Sequence, residues 1–179
     1  EGVLTGGWAV KARRRDPHFI KEIEKCILWL REEYGAESVL IPFFHSEDLG
    51  LCEVIADQLD GQAGCLRKKY LSEETLSIIG CMDVLVGVRL HSLIYAAVMG
   101  VPMIGISYDP KVDSFLSSIQ QPTLCNVAEF TLEKFQDAFR ETMARREDIR
   151  QTVALCLDRL ITKLDRNEEL IRDIMEQSK

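Results

Sequence analysis

The chain lacks most of the signatures that would place it at once. No G-x-G-x-x-G follows a strand-like run and no G-x-x-x-x-G-K-[S/T] is present, so neither a dinucleotide fingerprint nor a P-loop is supported. A G-x-S-x-G elbow is also absent. The six cysteines, at 26, 52, 65, 81, 125 and 156, form no C-x-x-C pair. That spacing speaks against a structural zinc or a disulfide framework, and the apolar surroundings of most of them predict reduced core thiols. Positive charge is short: the net charge is −7, which argues against a general nucleic-acid-binding surface. No signal peptide is visible, and the longest apolar run is broken by Arg89, His91 and Pro102 before it could span a membrane. What remains is the composition of a soluble, cytoplasmic globular protein, with a length of 179 residues that favours one domain with a sizeable core. The start at Glu1, inside a strand-like stretch, predicts a piece of a longer protein.

That longest run, Asp83–Lys111 (DVLVGVRLHSLIYAAVMGVPMIGISYDPK), organises the chain. Asp83–Gly87 is short and Val-rich, as a strand buried on both faces should be. Leu90–Met99 is too apolar for a surface helix, and Gly100 is placed to close it. Val101–Ser107 predicts a second buried strand. Arg89, His91 and Ser92 then fall together at a strand-to-helix turn, where parallel α/β sheets bind ligands and a helix start favours anions. An arginine among such neighbours is rarely buried without a partner, so Arg89 calls for an anionic one. Asp83 is the candidate within the chain, in which case Arg89 is structural and His91 a satisfied core histidine.

The flanking chain repeats this rhythm. Gly2–Thr5 is a plausible first strand, and Lys11–Arg15 is a basic cluster that is either a solvated loop or one facing an anion above the sheet. Asp16-Pro17 and Asp109-Pro110 are helix starts, with an N-cap followed by proline at the first helical position. Phe19, Ile20, Ile23, Ile27, Leu30 and Tyr34 mark the apolar face of the first helix. Ser38–Phe44 predicts a buried strand; Ser46 is placed to cap the helix after it, and Glu47 and Asp48 suit its first turn. His45 lies at that strand's C-terminal end, as a surface histidine bonded to a turn or as part of a site. Ala63–Leu66 and Gln121–Cys125 are short strand candidates, Ser72 caps a helix through Ile79, and glycines 35, 61, 80 and 100 each follow a helix. From Thr131 an apolar stripe runs through Leu132, Phe135, Phe139, Met143, Val153, Leu157, Leu160, Leu164, Ile171 and Ile174. The expected organisation is a Rossmann-like α/β domain over 1–130, an open parallel sheet with helices on both faces. Helices over 131–179 pack on it or on another domain.

VGVRLHSLIYAAVMGVPMIGISYDPKV resembles the signature of the polysaccharide pyruvyl transferases of the cell-wall type, through its RLHS turn, its AAVMGVP helix exit and its SYDPKV close. IPFFHSEDLGLCEVIADQL is similar to an earlier strand, loop and helix of that family. The resemblance implies the C-terminal half of a glycosyltransferase-B-like fold, with an N-terminal domain as partner. It implies transfer of the enolpyruvyl group of phosphoenolpyruvate onto two hydroxyls of a glycan or lipid-linked sugar, giving a cyclic ketal and phosphate, with no metal or nucleotide cofactor. Such work belongs in the cytoplasm, at or near the inner face of the membrane. It assigns Arg89 to the carboxylate or phosphate, His91 to proton transfer, and Leu90, Ser92, Tyr108, Lys111 and His45 to substrate binding. The family's arginine at the end of the first strand is replaced here by Gly6, when aligned on Trp8. An isolated half is expected to turn over little or not at all. The alternatives are a nucleotide-sugar glycosyltransferase of the same fold and a non-catalytic assembly module.

Overall fold

The computed structural model describes residues 16–177. The expected strand Gly2–Thr5, Gly6 and the basic cluster Lys11–Arg15 lie outside the described residues, as do the side chains of Ile171 and Ile174. Helix α1, Pro17–Tyr34, starts where Asp16 accepts the His18 N–H at 3.0 Å, and ends at Gly35 in the left-handed region, φ 61°. There follow β1 (Ser38–Leu40), α2 (His45–Gln58), β2 (Ala63–Cys65) and α3 (Ser72–Gly80). The central unit is β3 (Leu85–Gly87), α4 (Leu90–Val98) and β4 (Met103–Ser107). Then come α5 (Pro110–Ser118), β5 (Thr123–Asn126), a 3₁₀ turn (Val127–Glu129), α6 (Leu132–Ala144) and α7 (Arg146–Gln177).

All the described strand pairs are parallel, in two hydrogen-bonded groups, β1–β2 and β3–β4–β5. The α/β class with helices on both faces is therefore as the sequence predicts. The period of two along β4 sorts its side chains. Ile104 and Ile106 enter a core with Phe19, Ile23, Trp29, Phe135 and Phe139, from α1 and α6. Met103 faces a second core with Leu93, Ala96, Val112, Leu116 and Val153, from α4, α5 and α7. The first core is rich in edge-on aromatic pairs: Trp29 meets Phe139 at 5.6 Å and Phe135 at 6.0 Å. Helix α7 is tied to the central unit by Arg150 Nε, which donates to the Gly100 carbonyl at 3.1 Å. Elsewhere on α7, Leu155, Ile161 and Leu164 are exposed.

Several expectations need correction. Ser46 and Ser72 are not caps. Helix α2 begins at His45, and the N–H of Phe44 is taken at 2.7 Å by Asp48, from inside the helix. Helix α3 begins at Ser72, and Glu74 accepts the Leu71 N–H at 2.8 Å. In both helices a carboxylate one turn in accepts the N–H of the N-cap residue, a different amide from the one a capping serine takes. Gly80 is the last residue of α3 rather than a residue after it, and it has no positive φ; the Met99 side chain lies over its Cα. Helix α4 is buried on one side only, since Val98 and Met99 are exposed. Cys26, Cys52 and Cys156 are buried and Cys65 and Cys125 partly so, but Cys81 is exposed. Burial pushes the thiols of Cys26, Cys65 and Cys125 up, which keeps them protonated.

Candidate active site

Three strand-to-helix turns carry the residues singled out in the sequence. The turn after β1 carries His45, Glu47 and Asp48; the turn after β3 carries Arg89, His91 and Ser92; the turn after β4 carries Tyr108 and Lys111. Each lies at the C-terminal end of a parallel strand, the end at which open α/β sheets bind ligands.

Arg89 is the N-cap position of α4, in extended conformation. Its side chain is only 13% exposed, and its Nη2 donates to Asp48 Oδ1 at 2.8 Å and to Glu47 Oε2 at 3.4 Å. The guanidinium carbon also stands 5.5 Å from the centroid of the Phe44 ring. The anionic partner that the sequence asked for is thus supplied in part by the chain itself, and it is not Asp83. Asp48 is completely buried, and its other oxygen accepts the Phe44 N–H. A lone carboxylate buried to that degree would be strongly disfavoured; two charge-assisted bonds make it tenable. The bonds from Arg89 to Asp48 and Glu47 fasten the β1 turn to the β3 turn.

Ser92 is fully buried and donates to the Arg89 carbonyl at 2.7 Å, so its hydroxyl shapes the turn. A Cβ on Gly87 would meet Ser92 Oγ at 2.7 Å and Leu93 Cδ2 at 2.9 Å; glycine lets α4 rest directly on the end of β3. The backbone N–H groups of Ser92 and Leu93 turn back to the Arg89 carbonyl. Those of Leu90 and His91 find no acceptor among the described residues, which leaves two amides at the positive end of the helix dipole. His91 is exposed, and its ring makes no hydrogen bond to a described residue.

Tyr108 is half-buried, with Lys111 Nζ at 5.8 Å from its ring centroid. Burial raises its phenol above the ordinary value, and the charges of Lys111 and Arg89 only partly oppose this; the hydroxyl is a donor at neutral pH. The effect of Arg89 on Tyr108 puts the β3 and β4 turns in one electrostatic neighbourhood. Lys111 leans on Asp109 at 3.6 Å. His45 stands apart: its Nε2 is 2.9 Å from the Arg67 carbonyl, to which it must be the donor, a turn-bonding role. Asp48 is the residue that sequence reasoning undervalued. Its signal was present, as an acid beside a strand end in an apolar stretch, but a first-turn acid has a sufficient local excuse.

Elsewhere, a hollow of about 210 Å3 opens beside the start of β4, between Met103, Gln121, Thr142, Arg145 and Ile149, and shares no residue with these turns. No group of three or more potential metal ligands occurs among the described residues. None of the described helices is long and apolar enough to cross a membrane.

Parallel strands alternating with helices, with charged turns gathered at the strands' C-terminal ends, define a Rossmann-like α/β domain. Residues 8–110, more than half of the chain, match the family model of the polysaccharide pyruvyl transferases, and the chain belongs to that family. The matched stretch contains His45, Arg89, His91, Ser92 and Tyr108 and stops just before Lys111. No curated protein and no solved structure matches the chain.

Proposed function

We propose that this domain holds phosphoenolpyruvate at the β3–α4 turn and, with an N-terminal domain, transfers its enolpyruvyl group to a sugar of a cell-wall or surface polysaccharide. The supporting observation is the gathering of Arg89, two amides without described acceptors, His91 and the Tyr108–Lys111 pair at one end of the parallel strands, in a member of a transferase family. Phosphoenolpyruvate carries a carboxylate and a phosphate, and a guanidinium beside helix-start amides is chemistry that recognises either.

The reaction balances without a further reactant. A sugar hydroxyl adds to C2 of the enol while C3 takes a proton, giving a methyl group and a tetrahedral centre that still bears phosphate. A second hydroxyl then displaces the phosphate and closes the ketal. Of the two hydroxyl protons, one is accounted for at C3 and the other on the departing phosphate. His91, exposed at the second helical position, is suited to bring the proton to C3 or to take one from the acceptor. Arg89 and the amides hold the anion; Tyr108 adds a hydroxyl donor and Lys111 a positive charge. Ser92 contributes by fixing the carbonyl of Arg89.

A second reading has one observation behind it. An arginine with Nη2 committed to two carboxylates of its own chain is also what a structural ion pair in an assembly module looks like. Phosphoenolpyruvate-dependent phosphate release by the natural full-length protein, on glycan acceptor, separates the two. The proposal expects release by the wild type and losses of about a hundredfold or more in Arg89→Ala and His91→Ala. Wild-type rates in both variants, or no release at all from folded wild type, would support the structural reading.

A further inference from the structure

Two adjacent carboxylates share one nitrogen of Arg89 on unequal terms. Asp48 is fully buried, lies at 2.8 Å, and has its second oxygen occupied by the Phe44 N–H. The Glu47 side chain is 26% exposed, lies at 3.4 Å, and makes no other hydrogen bond to a described residue. The first bond is short, dry and doubly anchored; the second is long, partly wet and singly anchored, so it is far cheaper to break. We infer that Asp48 is the positioning residue that fixes Arg89, and that Glu47 occupies, as an internal carboxylate, a place the anionic substrate takes over when it binds.

This rests on the reading of Arg89 as an anion holder. The chemistry favours exchange: a carboxylate from phosphoenolpyruvate replaces a carboxylate from the protein at the same donor, and Glu47 can swing into water because it is already part exposed. Asp48 cannot do so. It is fully buried, and moving it would break the short bond from the guanidinium and the one from the Phe44 amide together. The two acids, neighbours in sequence, therefore act in opposite directions on affinity. Asp48 helps binding by holding the cation in place. Glu47 opposes it by competing for the cation.

The test is calorimetric titration of phosphoenolpyruvate into the full-length protein and four variants, with thermal unfolding as the check on folding. Glu47→Gln should bind about threefold to fivefold more tightly than wild type, the scale of one partly exposed ion pair. Glu53→Gln, on the same helix but paired with Arg67, removes the same charge and should not bind more tightly. Asp48→Asn should bind at least about tenfold more weakly while Glu47→Gln gains. If Asp48→Asn does not fold, the Glu47 and Glu53 arms decide alone. Equal affinities of Glu47→Gln and wild type, or equal gains in Glu47→Gln and Glu53→Gln, would overturn the exchange. Arg89→Ala guards the premise: undiminished binding there removes the anion-holder reading itself, whereas weakened binding with no gain in Glu47→Gln removes only the exchange.

Discussion

Two buried carboxylates, Glu22 and Asp48, answer the cost of burial in different ways. Glu22 projects from α1 and is 6% exposed. Its Oε2 accepts the N–H of Leu132 at 2.7 Å, at the start of α6, and its Oε1 accepts from Lys25 at 2.6 Å. The charge sits at the positive end of a helix dipole, and an exposed lysine completes the pairing. Asp48 has no lysine and no distant helix to cap. Its counter-charge is a guanidinium that is itself only 13% exposed, at the mouth of the strands. Glu22 joins two helices beside the aromatic core and touches nothing that could react. Asp48 spends its bonds on orienting another charged group. A buried acid that caps a helix is scaffold; a buried acid whose main partner is a second buried charge at strand ends is a candidate for function.

The largest expected effect breaks the Asp48 side of that contrast. Asp48→Ala leaves the guanidinium and the Phe44 amide without their buried acceptor, and denaturant unfolding should show a loss of about 3–5 kcal/mol. Gly87→Ala attacks the same turn without touching a charge: a methyl against Ser92 and Leu93 should cost about 1–3 kcal/mol and weaken phosphoenolpyruvate binding through displacement of α4. Glu22→Ala should cost about 1.5–3 kcal/mol, the range of a hydrogen bond to a charged group, and leave phosphoenolpyruvate affinity as in wild type. A change in affinity there would erase the distinction between the two acids.

Acid titration sharpens the contrast further. Burial alone would raise the carboxyl of Glu22, but the bonds from Lys25 and Leu132 outweigh it and the net shift is downward from 4.5. A lowered folded-state value means the stabilisation is fully present above the unfolded value and fades as pH falls through the folded one. The stability difference between wild type and Glu22→Gln should therefore be flat above about pH 5 and shrink progressively below 4.5. The smallest effect is spectroscopic. Burial raises the phenol of Tyr108 above 10.0 and the charge of Arg89 pulls it partly back, so ultraviolet titration of Arg89→Ala should show one tyrosine ionising at still higher pH than in wild type.

The unit from Asp83 to Lys111 was legible because its signals agree with one another. A Val-rich run, an apolar helix, Gly100 at φ 67° and a fully buried β4 leave little freedom, and the Asp-Pro starts at 16 and 109 form the expected caps. In the helices after Thr131, Phe135, Phe139 and Val153 of the apolar stripe are buried as their spacing requires, whereas Leu164 is exposed. What could not be read was which polar group meets which. Asp83, six residues from Arg89, was the obvious partner; Arg89 instead meets Asp48 and Glu47, more than forty residues away, and periodicity carries no information about contacts at that separation. For the same reason nothing in the spacing of α1 marks Glu22, whose partner Leu132 lies 110 residues on. Gly80 reads as a stop signal because it stands at a helix end, but it is the last helical residue and Cys81 follows as the cap.

The most direct measurement is a crystal structure of the full-length protein soaked with phosphoenolpyruvate. The expected result places a carboxylate or phosphate of the ligand within hydrogen-bond distance of the Arg89 guanidinium and the amides of Leu90 and His91, with Asp48 still on Nη2. Phosphoenolpyruvate bound away from that turn, with the α4 amides still empty, would contradict it.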